Sequence, residues 1–181
     1  MNDFYKDLKG KNIKLKKFSF SQEAIILYKK WFSNLVIRKQ MGYIGKFDEG
    51  DIERWKKSQE TKANQILFNI VLNQSEKIIG MTSITLVGVQ NAGEIEILIG
   101  EESYQNKGLG TEAIRLLVDY CFKILNLETL RLRVLKENIK AINCYKKVGF
   151  IHNDNRDKKC IEKNKTIEMI IKNCSEVKYD L

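Results

Sequence analysis

Two glycines stand at the mouth of the strongest amphipathic helix pattern in the chain, within the stretch SYQNKGLGTEA at 103–113. Inside a helix, Gly108 and Gly110 would each cost about 1 kcal/mol relative to alanine. A loop with few side chains lets the backbone approach a ligand closely, and the N–H groups of a first helical turn attract anions. The stretch therefore predicts a phosphate-binding loop, with a flexible strand-to-helix connector as the alternative.

Phosphate-binding loops follow several patterns that can be compared with this stretch. A P-loop requires GxxxxGK followed by Ser or Thr, and the segment Gly45-Lys46-Phe47 breaks that rule. The segment 108–113 fits the dinucleotide pattern GxGxxA, but residues 100–107 separate it from the strand that should immediately precede it. The longer pattern QxxGxG at 105–110 fits best, because its loop would wrap a pyrophosphate with the amides of the following helical turn.

Two carboxylates just upstream could do acid–base chemistry. Glu94 and Glu96 alternate with isoleucines, so both belong to one face of a predicted strand. If that face lines a cleft, either carboxylate could accept a proton from an amine through a water molecule. Surface glutamates without a chemical role are the alternative.

The sequence gives little support for a metal site. His152 is the only histidine, which rules out a multi-histidine cluster, and the cysteines form no CxxC pair. Cys121, Cys144, Cys160 and Cys174 sit among apolar neighbours, so we predict buried thiols. We therefore expect no metal cofactor.

Apolar periodicity predicts one mixed α/β domain without a linker or an internal repeat. Period-two runs joined by short polar turns indicate antiparallel hairpins, and helical spacing follows a serine cap at Ser21. Gly149 is the residue type that commonly ends a helix in the left-handed conformation. The predicted strands are 12–18, 65–72, 77–87, 93–99, 128–135 and two within 150–172, and the predicted helices begin at 21, at 48, after the glycine loop and at 138.

Composition excludes some classes of function. The chain has 181 residues, 43% of them hydrophobic, and no apolar run reaches the roughly 18 residues of a membrane helix. The N-terminus lacks the apolar core of a signal peptide, so we expect a cytoplasmic protein without membrane partners. The net charge is +9, but the lysines are dispersed, which favours phosphate-bearing small molecules over a nucleic-acid surface.

A second motif accompanies the glycine loop. The stretch NIKAINCYKKVGF at 138–150 follows the pattern NxxAxxxYxxxGF, downstream of QxxGxG. Together, in this order and on these elements, they resemble the GNAT superfamily of acetyl-CoA-dependent N-acetyltransferases, and the resemblance covers about 12–172. The similarity is greatest to the branch of ribosomal-protein N-terminal and spermidine acetyltransferases. It implies a single domain, 1–181, with a mostly antiparallel sheet of seven strands and four flanking helices.

The resemblance implies a binding site for acetyl-CoA. The pantetheine arm is expected along the backbone of Ile97 and Ile99, where this strand splays from the strand at 131–135. Asn138 matches the asparagine that hydrogen-bonds this arm, and it also suits a helix N-cap. The pyrophosphate is expected on the backbone amides of Gln105, Lys107, Gly108, Leu109, Gly110 and Thr111, with an added contact from the Lys107 side chain.

The resemblance also implies catalytic and acceptor residues. Tyr145 matches the tyrosine that protonates the sulfur of the departing coenzyme A, and a core tyrosine is the alternative. Glu94 or Glu96 would be the base, although many members of the family use no single base. Tyr43, Phe47 and Trp55 fall where this branch builds its acceptor wall, or else they belong to the core.

The predicted function is acetyl transfer from acetyl-CoA to a primary amine by direct attack in a ternary complex. The acceptor, whether a protein N-terminus, a small amine, a polyamine or an amino sugar, is not separable from sequence. A catalytically silent acyl-CoA-binding or scaffolding module is the first alternative, and a basic RNA-associated protein is the second. The hydrophobic edge of the C-terminal strands could support a homodimer.

Overall fold

One continuous sheet organises the chain. The computed structural model describes residues 6–41, 45–48, 50–88, 91–153 and 165–173. In this part of the chain, eight strands form one sheet in the order β1-β2-β3-β4-β5-β6-β8-β7. The strands are β1 (Leu8–Lys9), β2 (Ile13–Lys17), β3 (Gln65–Leu72), β4 (Ile78–Val87), β5 (Ala92–Ile99), β6 (Thr129–Leu135), β7 (Ile151–His152) and β8 (Thr166–Lys172).

Helices cover both faces of this sheet. They are α1 (Gln22–Ser33), α2 (Leu35–Gln40), α3 (Gly50–Thr61), α4 (Leu109–Lys123) and α5 (Ile139–Val148), with a 3₁₀ turn at Glu102–Tyr104. Within the described residues, no helix combines the length and the apolar character needed to cross a membrane.

The predicted fold class is confirmed. All neighbouring strands pair antiparallel except β5 and β6, and the predicted caps Ser21 and Asn138 accept hydrogen bonds from the first turns of α1 and α5. Gly149 ends α5 with φ of 110°. The sheet has one strand more than predicted, the two-residue β1, and the helix α2 was also missed. Both elements are too short to show a hydrophobic period.

Two apolar layers sandwich the sheet. Side chains at helical spacing on α4, including Ile114, Leu117 and Cys121, pack in the larger cluster together with Ile95 of β5. Leu98 of β5 belongs instead to a second cluster with α1, α2 and α3. Because side chains alternate along a strand, the two clusters lie on opposite faces, and β5 lies in the centre of the sandwich.

The pairing between β5 and β6 stops early. These parallel strands are in register only from Ala92 and Thr129 to Glu94 and Arg131. Beyond this point β5 continues beside β4, and β6 continues beside β8. The two strands therefore diverge like the arms of a V, and the edge of β5 that faces β6 is left open.

The end of β5 is fastened to α1. The largely buried carboxylate of Glu101 accepts hydrogen bonds from Lys30 Nζ at 2.7 Å and Trp31 Nε1 at 3.0 Å. The hydrogen bond from Lys30 holds the pKa of Glu101 below its usual value. The indole of Trp31 also lies directly over Gly100. These contacts fix the position at which the glycine loop begins.

Gly100→Ala tests this fastening. A Cβ at Gly100 would lie 2.1 Å from Trp31 Cδ2, so the indole must move, and overpacking of this kind costs about 1–3 kcal/mol. We expect the free energy of unfolding to fall by that amount in a urea titration. Gly45→Ala is the matched control, because apart from its chain neighbours no atom of the described residues lies within 4 Å of its Cβ position. Equal stability of the two variants would contradict the packing described here.

Candidate active site

A cleft of about 710 Å³ occupies the space between the diverging strands. Its walls come from β5, the start of α4, the end of β6, α5 and the end of α2. The structure thus brings together, in one place, most of the site residues predicted from two separate motifs. Those that line the cleft are Glu94, Glu96, Ile97, Ile99, Gln105, Gly108, Gly110, Thr111, Asn138 and Tyr145.

Helix α4 begins without a side-chain cap. Gly108 is its N-cap residue, with φ of 80°, a left-handed conformation that favours glycine. The first helical hydrogen bond runs from the Glu112 N–H to the Gly108 carbonyl at 3.0 Å. The preceding N–H groups of the first turn have no helical acceptor, whereas the N-cap side chains of α1, α2 and α5 accept hydrogen bonds from their first turns. The amides at the start of α4 are therefore available to a ligand.

Gly110 keeps space open in the cleft. A Cβ at this position would lie 3.7 Å from Ile99 Cγ1 and 4.0 Å from Cys144 Sγ, which are ordinary contact distances. The fold itself therefore does not require glycine here, and alanine would be the better helix former by about 1 kcal/mol. The lack of a side chain serves the cleft and not the packing of the protein.

The rest of the loop is tied to β5. The Gln105 side chain donates a hydrogen bond to the Ile99 carbonyl at 2.8 Å. The Leu109 side chain is buried in the core, so only its backbone is available at the helix start. Lys107 is exposed, with its Nζ 5.5 Å from the centre of the Tyr104 ring. Neither Lys107 nor Leu109 lines the cleft.

Tyr145 lies in the cleft wall with 8% of its surface exposed. Its ring packs edge-to-face against Phe150 at 6.1 Å. Its hydroxyl makes no hydrogen bond to another residue in the described part of the chain. Burial, followed by the neighbouring Cys144 and Glu96, raises its pKa above the usual value. The hydroxyl therefore stays protonated at neutral pH, and no described residue accepts a hydrogen bond from it.

The two described cysteines, Cys121 and Cys144, are protonated thiols. The sulfur of Cys144 lies 3.1 Å from Thr111 Oγ1, and burial raises its pKa. Burial raises the pKa of Cys121 to about 12. Neither has the lowered pKa of a cysteine nucleophile. The other two, Cys160 and Cys174, lie outside the described residues.

The two glutamates of β5 have different surroundings. Glu94 accepts hydrogen bonds from Arg133 Nε at 2.9 Å and Nη2 at 2.7 Å, and from Arg131 Nε at 3.3 Å. Within the described residues, Glu96 receives one hydrogen bond, a long one from Ser83 Oγ at 3.5 Å. Its side chain reaches the solvent in the cleft, but crowding by protein atoms and the charge of Glu94 raise its pKa. Glu96 is therefore the carboxylate that is free to take up a proton.

Two of the three predicted acceptor residues, Phe47 and Trp55, are placed apart from the cleft. Trp55 packs in an aromatic cluster with Phe18 at 5.3 Å and Phe32 at 5.8 Å, and Phe47 stacks on Phe32 at 6.3 Å. Neither Phe47 nor Trp55 is among the cleft-lining residues, and Tyr43 lies outside the described residues. Their role in an acceptor wall stays a prediction.

Several charged residues of the cleft were not predicted. The cleft is lined by Arg133 of β6 and by Lys140 and Lys147 of α5. Arg131 donates a hydrogen bond to Glu94. The alternation of Arg131 and Arg133 with apolar residues indicates a shared face of β6. The alternating pattern of β6 does not by itself indicate that β6 lies beside β5, because this contact is made across the intervening helix α4. The resemblance to the family implied that neighbour, and the structure confirms it. Among the described residues, no group of three or more His, Cys, Asp or Glu side chains could hold a metal ion.

Comparison with known proteins identifies the class to which this fold and cleft belong. The family model of the acetyltransferase (GNAT) domain matches residues 15–151. That range is more than half of the chain, so the protein belongs to the GNAT acetyltransferase family.

Individual relatives agree with this assignment. The chain is 52% identical over 62 residues to the spermidine N(1)-acetyltransferase of Escherichia coli K12, an alignment that spans 34% of this chain and 33% of that protein. The chain thus matches about a third of that relative's length.

Solved structures show the same fold over nearly the whole chain. The spermidine N-acetyltransferase of Vibrio cholerae, in complex with CoA and spermine, superposes with a TM-score of 0.74 at 20% identity, covering 89% of this chain and 95% of that one. The ribosomal-protein-S5-alanine acetyltransferase of Vibrio fischeri gives 0.73 at 17% identity, covering 94% and 98%.

Glu94→Gln tests the electrostatics of the glutamate pair. Removal of the Glu94 charge takes away one of the causes that raise the pKa of Glu96, and it leaves two guanidinium groups nearby without their carboxylate. We expect the pKa of Glu96 to fall relative to the wild type in a carbon-13 NMR titration of its carboxyl group. Glu128→Gln removes the same charge outside the cleft and should leave that pKa unchanged. A Glu96 pKa that does not fall in Glu94→Gln would show that the two carboxylates are not coupled.

Proposed function

We propose that this protein transfers an acetyl group from acetyl-CoA to a primary amine by direct attack within a ternary complex. The observation that carries the proposal is the uncapped start of α4, which opens into the V-shaped cleft beside Tyr145. A helix terminus supplies the anion site, the diverging strands supply a groove, and the cleft wall supplies a proton donor. Membership of the GNAT family supports the same function.

The start of α4 would hold the pyrophosphate of the coenzyme. The amides of the first turn lack acceptors, and Gly108 and Gly110 keep side chains out of their way. Oriented N–H groups and the positive end of a helix favour such an anion. Lys140 and Lys147 line the same cleft, and their charges complement phosphate. The open edge of β5 at Ile97 and Ile99 would receive the pantetheine arm as an added strand.

The acceptor amine must lose a proton before it can attack. We assign this step to Glu96, acting through water, because Glu94 is committed to two guanidinium groups. The raised pKa of Glu96 makes its carboxylate a stronger base than an ordinary glutamate. The acetyl group arrives as a thioester, and its carbonyl would accept hydrogen bonds from the backbone of β5.

The departing thiolate must gain a proton. Tyr145 is suited to this role, because it lines the cleft and keeps its proton at neutral pH. Its hydroxyl donates no hydrogen bond to a described residue. An unperturbed thiol has a pKa of about 8.5 and a phenol about 10. Burial raises the pKa of Tyr145 above this ordinary value, and it likewise disfavours the thiolate that forms in the same cleft. The phenol can therefore transfer its proton to the sulfur as the thioester bond breaks.

The acceptor is proposed as a primary amine. The two solved structures reported above come from enzymes named for spermidine and for an alanine of ribosomal protein S5. Both share less than a quarter of their sequence with this chain, and the more similar relative from Escherichia coli is matched over a third of its length.

We propose a homodimer through the β7 edge, where Ile151 is 65% exposed.

Coenzyme binding is tested first, by calorimetry with acetyl-CoA on wild type, Gly110→Ala and Gly110→Glu. We expect micromolar-range binding by the wild type and none by Gly110→Glu, whose side chain would occupy the cleft and repel phosphate. Gly110→Ala should fold with equal or greater stability because its Cβ meets only ordinary contacts. A thiol-release screen over amine classes follows. Binding without release would indicate a silent acyl-CoA-binding module, and no binding by a folded wild type would contradict the proposal.

Tyr145→Phe tests the general acid. Loss of the hydroxyl should lower kcat by about a hundredfold or more, with little change in stability or in coenzyme affinity. Tyr28→Phe is the matched control, because Tyr28 is also buried but donates its hydrogen bond to the buried Asn69. That variant should lose about 1–3 kcal/mol of stability and retain its kcat. Unchanged kcat in Tyr145→Phe would remove this residue from the mechanism.

A further inference from the structure

The closed end of the cleft carries an unusual balance of charge. Glu94 and Arg131 are the last residues at which β5 and β6 pair, so they mark the point where the V closes. Arg131 and Arg133 both bond to Glu94. Two guanidinium groups thus share one carboxylate at the end of the cleft where an acceptor would meet the coenzyme arm. The charge of Glu96 offsets the remaining positive charge, but the ion pairs of both guanidinium groups are made to Glu94.

The hydrogen bonds leave donors directed away from Glu94. Arg133 uses Nε and Nη2 on one carboxylate oxygen, and Arg131 contacts the other. Arg133 Nη1 has no hydrogen-bond partner in the described part of the chain. The Arg133 side chain lines the cleft and is 60% exposed. It can therefore bond to a second anion without releasing Glu94.

Other nearby charges do not reverse this balance within the cleft. Glu168 of β8 acts on Arg133 through its charge, but it accepts a hydrogen bond from Asn153 at 2.7 Å and does not line the cleft. Lys62 acts on Glu96 as a further positive charge. Glu96 is therefore the only acidic side chain lining the cleft without an ion-pair partner among the described residues.

A cleft of this kind suits one amine and no second cation. A buried ammonium group needs an anionic or hydrogen-bonding partner, and among the described residues that line this cleft Glu96 is the one carboxylate without an ion pair. A second ammonium group would lie near the guanidinium group of Arg133. Contact between like charges is costly and excludes wrong partners, so this second ammonium group would be rejected.

On the basis of the proposed acetyl transfer, we propose that the acceptor is a monoamine whose remaining part is anionic, and that Arg133 selects it against polyamines. The anion, a carboxylate or a phosphate, would bond to the free Nη1 of Arg133 while the amine lies at Glu96. Arg133 is here a specificity-determining residue. The step itself is unchanged: the amine nitrogen forms a bond to the acetyl carbon, the thioester bond breaks, and the amine proton leaves through Glu96.

The test uses acceptors that are matched in length and differ only in the charge of their tail. These are 6-aminohexanoate, hexylamine and 1,6-diaminohexane, with tails of charge minus one, zero and plus one. The series is repeated with shorter spacers, and β-alanine against 2-aminoethyl phosphate distinguishes carboxylate from phosphate. An exposed ion pair is worth up to about fivefold in affinity. The ratio compares an acceptor that gains this attraction with one that meets a repulsion, so the two effects multiply. We therefore expect kcat/KM to be roughly tenfold higher for 6-aminohexanoate than for 1,6-diaminohexane, with hexylamine between them.

Ionic strength and variants show whether charge is the cause. High salt should bring the ratio close to one, because screening weakens exposed charges and leaves shape selectivity intact. Arg133→Gln should reduce the ratio at low salt, both by weakening 6-aminohexanoate, which loses its partner, and by improving 1,6-diaminohexane. Lys123→Gln makes the same change of charge on the surface of α4, at a side chain 72% exposed outside the cleft, and should leave the ratio as in the wild type.

Two outcomes would overturn the proposal. One is a kcat/KM for 1,6-diaminohexane that equals or exceeds that for 6-aminohexanoate. The other is a ratio that is unchanged in Arg133→Gln. The protein could bind acetyl-CoA but acetylate none of the acceptors. In that case, calorimetry compares the affinities of 6-aminohexanoate and 1,6-diaminohexane for the protein saturated with coenzyme A. Equal or tighter binding of 1,6-diaminohexane would then overturn the proposal. Failure to bind acetyl-CoA at all would instead contradict the proposed function.

Discussion

The early end of the pairing between β5 and β6 is the constraint on which the other features depend. Each strand has a continuous partner on its outer side, β4 for β5 and β8 for β6, so the sheet stays whole while its centre opens. Unpaired backbone in a protein interior is costly. The opening is therefore tolerated where the edge of β5 faces a cleft wide enough for a ligand to supply the missing strand.

The ends of this opening are held by different kinds of contact. At the wide end, Glu101 and the indole over Gly100 fasten β5 to α1, and Gln105 ties the glycine loop back to Ile99. These contacts aim the uncapped start of α4 into the cleft. At the narrow end, Glu94 joins the strands through Arg131 and Arg133. Rigid supports at both ends hold the cleft open without a ligand.

The same contacts divide the work between similar side chains. Glu94 and Glu96 are two residues apart on one strand face, but the guanidinium groups bind the first and leave the second to exchange protons. Tyr28 and Tyr145 are both buried, but among the described residues only the Tyr28 hydroxyl has a hydrogen-bond acceptor, Asn69. In each pair the environment, and not the residue type, separates a structural group from one that is available for chemistry.

Local sequence determined the elements and the family. The glycine pair, the NxxAxxxYxxxGF motif, the caps Ser21 and Asn138 and the hairpins of β3 to β5 depend on neighbours in the chain, so their patterns predicted them. No local pattern placed β6 beside β5: the family resemblance implied this neighbour, and only the tertiary structure gives the register and the point at which the pairing ends. That contact spans the intervening helix α4, and it sets the place of Arg133 and the difference between Glu94 and Glu96. Such long-range pairing leaves no local signal, because each strand alone has the same alternating pattern whichever neighbour it takes.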